Sequence, residues 1–443
     1  MKVFFISLGC DKNLVDSEKM LGLLRDTGHT ITDDENEAEA IVINTCCFIH
    51  DAKEESIRTI IDMAQLKQSG ALKRLVITGC LAERYAEEIR KELPEVDAVI
   101  GTTAIDELPK ALAAEEFYVS RKPLSVLPKI SSKRMLAPDS YVSYLKIAEG
   151  CDKCCTYCII PKIRGPYRSV PMEELVSEAE YLAGGGAKEL ILVAQETTVY
   201  GVDLYGRKAL PELLEKLCRI EGIEWIRILY CYPEEITDDL IAVMKREPKI
   251  CHYLDMPVQH ASDAVLKRMG RRTTHKELTE TVRKLRKEIP DITLRTTLIT
   301  GFPGETEEDA ELLKRFVTEM RFNRLGVFPY SKEEDTAAAR MPGQVLKRVK
   351  ERRRNQIMRL QRDICAKYGE QCIGKTFAVL VDGYLAEEGV YVGRTYMDAP
   401  GIDGSVYVET ERSLMSGAIV PVRITGANEY DLIGETTDDE FAE

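Results

Sequence analysis

The residues best suited to chemistry lie in the run Gly150-Cys151-Asp152-Lys153-Cys154-Cys155-Thr156-Tyr157-Cys158-Ile159-Ile160-Pro161. Cys151, Cys155 and Cys158 stand in a Cys-x3-Cys-x2-Cys spacing, which puts three thiolates on one short loop. Such a loop can hold three corners of a 4Fe–4S cube and leave the fourth iron without a protein ligand, whereas a closed structural zinc site uses four donors. An iron with an open position can bind a substrate or a cofactor. Only this choice of cysteines satisfies the spacing, so Cys154 is expected to be a non-ligand.

A second set of thiols is dispersed. Cys10, Cys46 and Cys80 each follow almost directly on a run that reads as a buried strand: Lys2 to Ser7, Ile41 to Asn44 and Arg74 to Thr78. Ligands of open α/β sheets gather outside the carboxyl ends of strands, so these three thiols are expected to converge on a second three-thiolate cluster. Cys47 competes with Cys46, and the Asn44-Thr45-Cys46 context favours Cys46. The plainer alternative is a flavodoxin-like domain with incidental cysteines, but no Gly-rich phosphate fingerprint follows the first strand to support it. Cys218, Cys231, Cys251, Cys365 and Cys372 lack ligand spacing and read as small buried apolar residues.

The elements that must position these thiols follow from periodicity. Helical patterns near 14–27, 51–68 and 83–92 lie between or after the first three strands, giving a βαβαβ half of a doubly wound domain. Arg121 to Pro138 reads as a linker. Strand-like runs recur at 141–148, 188–194, 225–231, 252–258, 292–299 and 325–328. Helical patterns accompany them at 172–184, 208–220, 236–246, 262–270, 274–288 and 306–321. Six βα repeats make a partial (β/α) barrel whose chemistry sits at the strand carboxyl ends. An Arg- and Lys-rich helix at 344–369 reads as a solvated connection, and after Gly374 short alternating runs at 376–381, 390–395, 406–409 and 419–424 read as a small β-barrel.

The 443 residues leave room for about three such domains. With 74 acidic against 61 basic side chains the net charge is −13, which argues against an enzyme that grips nucleic acid through a generally positive surface. Thirteen cysteines, an odd count, and an opening that lacks a proper export signal favour thiolate–metal chemistry over a disulfide framework. The opening MKVFFISLGC superficially resembles a lipoprotein cleavage site, but its apolar run is short of a typical h-region of about 7 to 15 residues and reads as a strand. No apolar run approaches the roughly 20 residues that a bilayer helix needs.

The Cys151 loop, at the head of six βα units, resembles that of the radical S-adenosylmethionine (SAM) enzymes. The resemblance implies that SAM chelates the open iron through its amino and carboxylate groups and is cleaved to a 5′-deoxyadenosyl radical. That radical abstracts hydrogen from carbon that no general base tuned near neutrality could deprotonate. Gly184-Gly185-Gly186 with Leu190 to Thr197 is similar to the region that binds the methionine amino group, and Leu298 to Thr306 to the glycine-containing strand end near the adenine. Gln195, Glu196 and Gly301 are the cofactor contacts this implies. A three-cysteine domain, a radical SAM barrel and a terminal module that looks like a TRAM domain together resemble the methylthiotransferases over essentially the whole chain. The expected fold is therefore α/β. It comprises an N-terminal doubly wound parallel-sheet domain (1–120), a central partial (β/α)6 radical SAM barrel (138–368) and a C-terminal small antiparallel, OB-like β-barrel (371–443).

The family inserts sulfur into a C–H bond and caps it with methyl, using one SAM as radical source and a second as methyl donor, with the N-terminal cluster carrying the sulfur. The implied cofactors are two 4Fe–4S clusters and SAM. Ser7 to Glu18, Pro161 to Ser169 and Gly393 to Pro400 are similar to the branch that methylthiolates the β-carbon of an aspartate in the twelfth small-subunit ribosomal protein. The alternative is the branch that modifies an adenosine beside the tRNA anticodon. The first implies a basic ribosomal protein partner, free or on the small subunit, an electron donor such as flavodoxin or ferredoxin, and a cytoplasmic location away from membranes. Charge favours it independently. Residues 371–443 hold 4 basic and 14 acidic side chains, a net −10, which repels phosphate and attracts a basic protein loop. Asp438, Asp439, Glu440 and Glu443 contribute to that excess and read equally as a loose acidic tail. Arg164 and Arg168, just after the cluster loop, could meet a substrate carboxylate or could serve packing and salt bridges.

Overall fold

The computed structural model describes residues 1–67, 70, 72–137 and 140–437. Pro138, Asp438, Asp439, Glu440 and Glu443 lie outside the described residues. The chain divides into two compact units, each taken over its described residues. One comprises 1–138, 148–170 and 331–339, the other 139–147, 171–330 and 340–443. Among the described residues no helix is long and apolar enough to cross a membrane.

In the first unit β1 (Lys2–Ser7), β2 (Thr30–Thr32), β3 (Ala40–Thr45), β4 (Arg74–Gly79), β5 (Ala98–Ile100) and β6 (Tyr118–Ser120) form one parallel sheet in the order β2-β1-β3-β4-β5-β6. Helical crossovers cover both faces, so β3 and β4 are buried along their whole length. Alternation sorts their side chains into two cores, with Ile41, Ile43, Leu75 and Ile77 on one face and Val3, Ala40, Val42 and Val76 on the other. Ile159 and Ile163, just beyond the Cys151 loop, pack into the first of these cores beside Leu81 and Ile89. The loop with the strongest metal signature is thus carried by the N-terminal sheet.

Periodicity found the three long central strands. It missed β2, β5 and β6, which at three residues each are too short to alternate. The single helix expected at 83–92 is two, Cys80–Arg84 and Ala86–Glu92, interrupted at Tyr85, whose backbone leaves the helical region. The stretch read as a linker, Arg121 to Pro138, forms no helix or strand among its described residues and ends at the boundary to the second unit, and it is tied down along its length. Met135 N–H donates to Glu18 O at 3.0 Å, and the buried Arg134 guanidinium pairs with the Glu18 carboxylate.

The chain then supplies β7 (Val142–Lys146) to the second unit, and β8 (Ala148–Glu149) and β9 (Arg168–Ser169), an antiparallel pair, to the first. Next come β10 (Glu189–Val193), β11 (Trp225–Ile228), β12 (Ile250–Asp255), β13 (Thr293–Thr300) and β14 (Arg324–Pro329). With β7 they make an open parallel sheet in strict chain order, β7-β10-β11-β12-β13-β14. Capping boxes start two of its helices, Thr274 with Glu277 and Thr306 with Asp309. The basic helix, Lys347–Glu370, is not simply solvated. It turns Arg353, Ile357, Gln361, Ile364 and Cys365 inward, because Arg353 finds a buried partner in Glu305 at 2.9 Å.

The terminal barrel closes as β15-β16-β17-β19-β18 from β15 (Thr376–Leu385), β16 (Val390–Arg394), β17 (Val406–Glu409), β18 (Ile419–Ala427) and β19 (Leu432–Thr436). The pair β17–β19 is parallel and the others are antiparallel. The short, polar β19 gave no signal in the sequence. Within the second unit this barrel is clamped to the parallel sheet by buried ions. Glu189 accepts from Arg227 Nε at 2.7 Å and from Arg394 Nη1 at 2.9 Å, and Arg324 Nε bonds Asp398 at 2.7 Å. Ala399 and Tyr396 join Ile191, Val193 and Tyr253 in one apolar cluster. The segment Gly393 to Pro400 therefore works as the clamp.

Removing one member of a buried ion pair leaves the other charge uncompensated. Arg324→Ala strands the fully buried Asp398 carboxylate and is expected to destabilise the second unit by about 3–5 kcal/mol, read from denaturant unfolding. Arg352→Ala, at an exposed pair with Glu307, is expected to stay within about 1 kcal/mol of the parent.

Candidate metal centre

All six cysteines singled out from the sequence fall in the first unit. Cys10, Cys46 and Cys80 sit just past the carboxyl ends of β1, β3 and β4, which are neighbours in the sheet, with Ser7, Asn44 and Thr78 side by side in register. Cys10 caps the helix Asp11–Asp26 and is exposed, Cys46 is buried, and Cys80 opens the helix Cys80–Arg84. Gly9 lets the first two approach. Its φ is +93°, and a Cβ there would stand 2.8 Å from Cys46 Cβ. Cys47 turns the other way, into the apolar core with Ile41 and Ile60, where burial pushes its thiol up to about 12.

One side chain ties these strand ends together. Asn13 Nδ2 donates to Leu8 O at 3.0 Å and Thr45 O at 3.1 Å, while Asn44 Nδ2 donates to Asn13 O at 2.9 Å. Cys80 Sγ points back at Asn13 Oδ1 across 3.9 Å.

In the other triad Cys151 and Cys155 are buried and Cys158 is half-buried, with Cys158 N–H donating to Cys155 O at 3.0 Å. Cys154 is exposed and holds a φ of +51°, the left-handed turn that throws its side chain out of step with its neighbours. The β8–β9 pair closes the loop, and Cys151 N–H donates to Gly165 O at 3.1 Å.

Burial pushes the Cys80 thiol up against the opposing pull of the Arg164 guanidinium, and burial pushes the Cys158 thiol up as well. Burial that resists ionisation of Cys46, Cys80 and Cys158 suits a ligand that brings its own positive charge, because a coordinated thiol is deprotonated by the metal. Among the described residues no three His, Cys, Asp or Glu side chains close on a point fit for a single ion. The fit of an iron–sulfur cluster rests on the placement of Cys10, Cys46 and Cys80 past three adjacent strand ends and of Cys151, Cys155 and Cys158 on one loop.

Arg164 and Arg168 are committed to the protein. Arg164 is 2% exposed and bonds Asp16 at 2.8 Å and Glu149 at 3.1 Å, while Arg168 donates to Arg164 O at 3.0 Å and Pro166 O at 2.6 Å. Of the two roles open to them from sequence, packing and ion pairing is what they perform. A strap at 331–339 also belongs to this unit. His50 N–H donates to Glu333 at 2.9 Å, Arg84 donates to Glu334 O at 2.7 Å, Tyr85 bonds the Glu334 carboxylate, and Ala338 N–H donates to Thr156 O at 2.8 Å. It thereby touches segments that follow Cys46 and Cys80 as well as the Cys151 loop. Asn13, Asp16, Glu149 and Glu333 were missed in the sequence. A polar residue three positions after a strand-end cysteine, or just before Gly150-Cys151, was the available signal.

Gln195, Glu196 and Gly301 lie in the second unit. Glu196 is fully buried just beyond β10, with its carboxylate accepting from the Thr198 N–H at 3.0 Å and from the Thr198 hydroxyl. Gly301 ends β13 at a φ of +70°. Its N–H donates to Glu305 at 2.6 Å, and Lys350 fills the space where a side chain would be.

Comparison with known proteins adds the following. Three family models match: the uncharacterised protein family UPF0004 over residues 2–101, the radical SAM superfamily over 145–317 and the TRAM domain over 373–437. The ribosomal protein uS12 methylthiotransferase RimO of Lachnoclostridium phytofermentans is 63% identical over 437 residues, spanning 98% of this chain and 99% of that protein. The enzyme of the same name from Acetivibrio thermocellus is 52% identical over 447 residues, spanning 98% of each. Among solved structures, the radical SAM methyltransferase TsrM from Kitasatospora setae superposes with a TM-score of 0.55 at 14% identity, covering 86% of this chain and 81% of that one, a likeness of fold alone.

Asn13→Ala removes two donors from buried carbonyls and is expected to cost about 1–3 kcal/mol in urea unfolding. Cys154→Ser, at an exposed position, is expected to stay within about 0.5 kcal/mol of the parent.

Proposed function

Because the chain belongs to the RimO family of methylthiotransferases, we propose that it transfers a methylthio group to the β-carbon of an aspartate in ribosomal protein uS12. The observation that carries this reading is the pair of three-thiol sets in one unit, one on a loop and one on three adjacent strand ends. Cys151, Cys155 and Cys158 would hold the cluster that binds SAM, and Cys10, Cys46 and Cys80 the auxiliary one. When bound, these groups supply a carbon-centred radical from one SAM, a sulfur atom, and a methyl group from a second SAM.

The protein's own residues do the holding and the excluding. Ile159 and Ile163 lock the cluster loop into the apolar core beside Leu81, which keeps water from the inner face of the thiols. Asn13 fixes the strand ends that present Cys10, Cys46 and Cys80. The acid excess of residues 371–443 supports a basic protein over RNA as the partner. An electron donor such as flavodoxin or ferredoxin would reduce the clusters in the cytoplasm.

Replacing any one of Cys151, Cys155 or Cys158 with Ala is expected to abolish 5′-deoxyadenosine formation in the reduced, anaerobic protein, while Cys154→Ser retains it. Mass spectrometry of uS12 and of tRNA from a deletion strain tests the substrate. The methylthio mark should vanish from uS12 and persist on adenosine, and the reverse pattern would transfer the assignment to the tRNA branch.

A further inference from the structure

Arg164 is among the largest fully buried side chains of the protein, and its partners come from three separate stretches of the first unit. Nη1 bonds Asp16 Oδ2 at 2.8 Å and Glu149 Oε2 at 3.1 Å. Nη2 bonds Asn13 Oδ1 and reaches Cys80 Sγ at 3.5 Å. Its carbonyl is pinned by Arg168 at 3.0 Å, and the next carbonyl, Gly165 O, accepts the N–H of Cys151. One residue thus touches a thiol of one triad with its side chain, while its neighbour's backbone holds the first cysteine of the other.

Stability alone does not call for a cation here. A buried ion pair is commonly matched or bettered by apolar groups of the same volume, so stability alone does not select an arginine at this place. The planar fork has two ends. The carboxylates take one and fix its orientation, which aims the other at sulfur. A positive N–H donor on a ligand sulfur stabilises the more negative, reduced state of an iron–sulfur centre and raises its potential.

On the reading that Cys10, Cys46 and Cys80 hold a cluster, the geometry points to Arg164 as the positioning residue that raises the reduction potential of that cluster, through its N–H···S bond to Cys80, without doing so for the SAM cluster. The two clusters are then poised apart by one side chain. The auxiliary centre accepts an electron more readily than its sulfur ligands alone would allow.

The test is an EPR-monitored redox titration of the full-length chain carrying Cys151→Ala, Cys155→Ala and Cys158→Ala, so that only the auxiliary cluster is loaded. Asp16→Asn with Arg164→Gln removes one cation and one carboxylate together, which leaves the net charge of the Arg164, Asp16 and Glu149 group unchanged at −1. The midpoint is expected to fall by at least tenfold in the reduction equilibrium, about 59 mV for a one-electron couple. The SAM cluster, titrated in a Cys10→Ala, Cys46→Ala, Cys80→Ala background, should keep its midpoint. An unchanged auxiliary midpoint, or an equal fall in both clusters, overturns the proposal. Should the double variant not load iron, Arg164→Lys carries the test. It keeps the charge but cannot bridge the carboxylates and sulfur at once, so a smaller fall is expected and no fall refutes the proposal. Iron counted before titration separates the two levels: a parent without an auxiliary cluster refutes the reading of the three strand-end thiols, and the proposal with it.

Discussion

The meeting of Cys10, Cys46 and Cys80 depends on three parallel strands ending side by side, two of those ends tied by the amide of Asn13. Parallel pairing puts β1, β3 and β4 in one register, so residues a few positions beyond their last hydrogen bonds emerge at one edge of the sheet. Without a tie those ends would be ordinary loops. Asn13 donates to two of them and accepts from Arg164, whose carboxylate partners include Glu149, the residue before Gly150-Cys151. A short chain of buried polar contacts therefore links two cysteine sets within one unit, and each link of it is costly to leave unsatisfied.

The cysteine sets were legible in sequence for different reasons. The 151/155/158 spacing is local, so the chain itself declares it. Cys10, Cys46 and Cys80 are legible only because strand periodicity and the rule about carboxyl ends combine: the first finds the strands and the second says where their ends meet. Arg164 shows what stays hidden. Its partner Asp16 is 148 residues away, and no periodicity or spacing couples a basic residue after one cysteine loop to an acidic residue after another. The strap at 331–339 is hidden for the same reason, since it returns from the second unit to bond His50 across 283 residues. The Arg121 stretch reads as a connection from its Pro and Lys content, but nothing local in the sequence shows that Arg134 has a buried carboxylate partner in Glu18.

In the second unit the same logic joins the small barrel to the parallel sheet. Arg394 and Asp398 sit in a segment first noted for its resemblance to a family, and they prove to be the ions that meet Glu189 and Arg324. The residues of this segment thus hold two modules together. That clamp keeps the acid-rich barrel with the parallel sheet in one unit.

Mössbauer spectroscopy of the anaerobically reconstituted, iron-57-enriched protein bears most directly on the proposal that two open-cornered clusters share one unit. Two populations of equal iron content are expected, only one of which changes when SAM is added. A single population, or one in which all the iron responds to SAM alike, would contradict it.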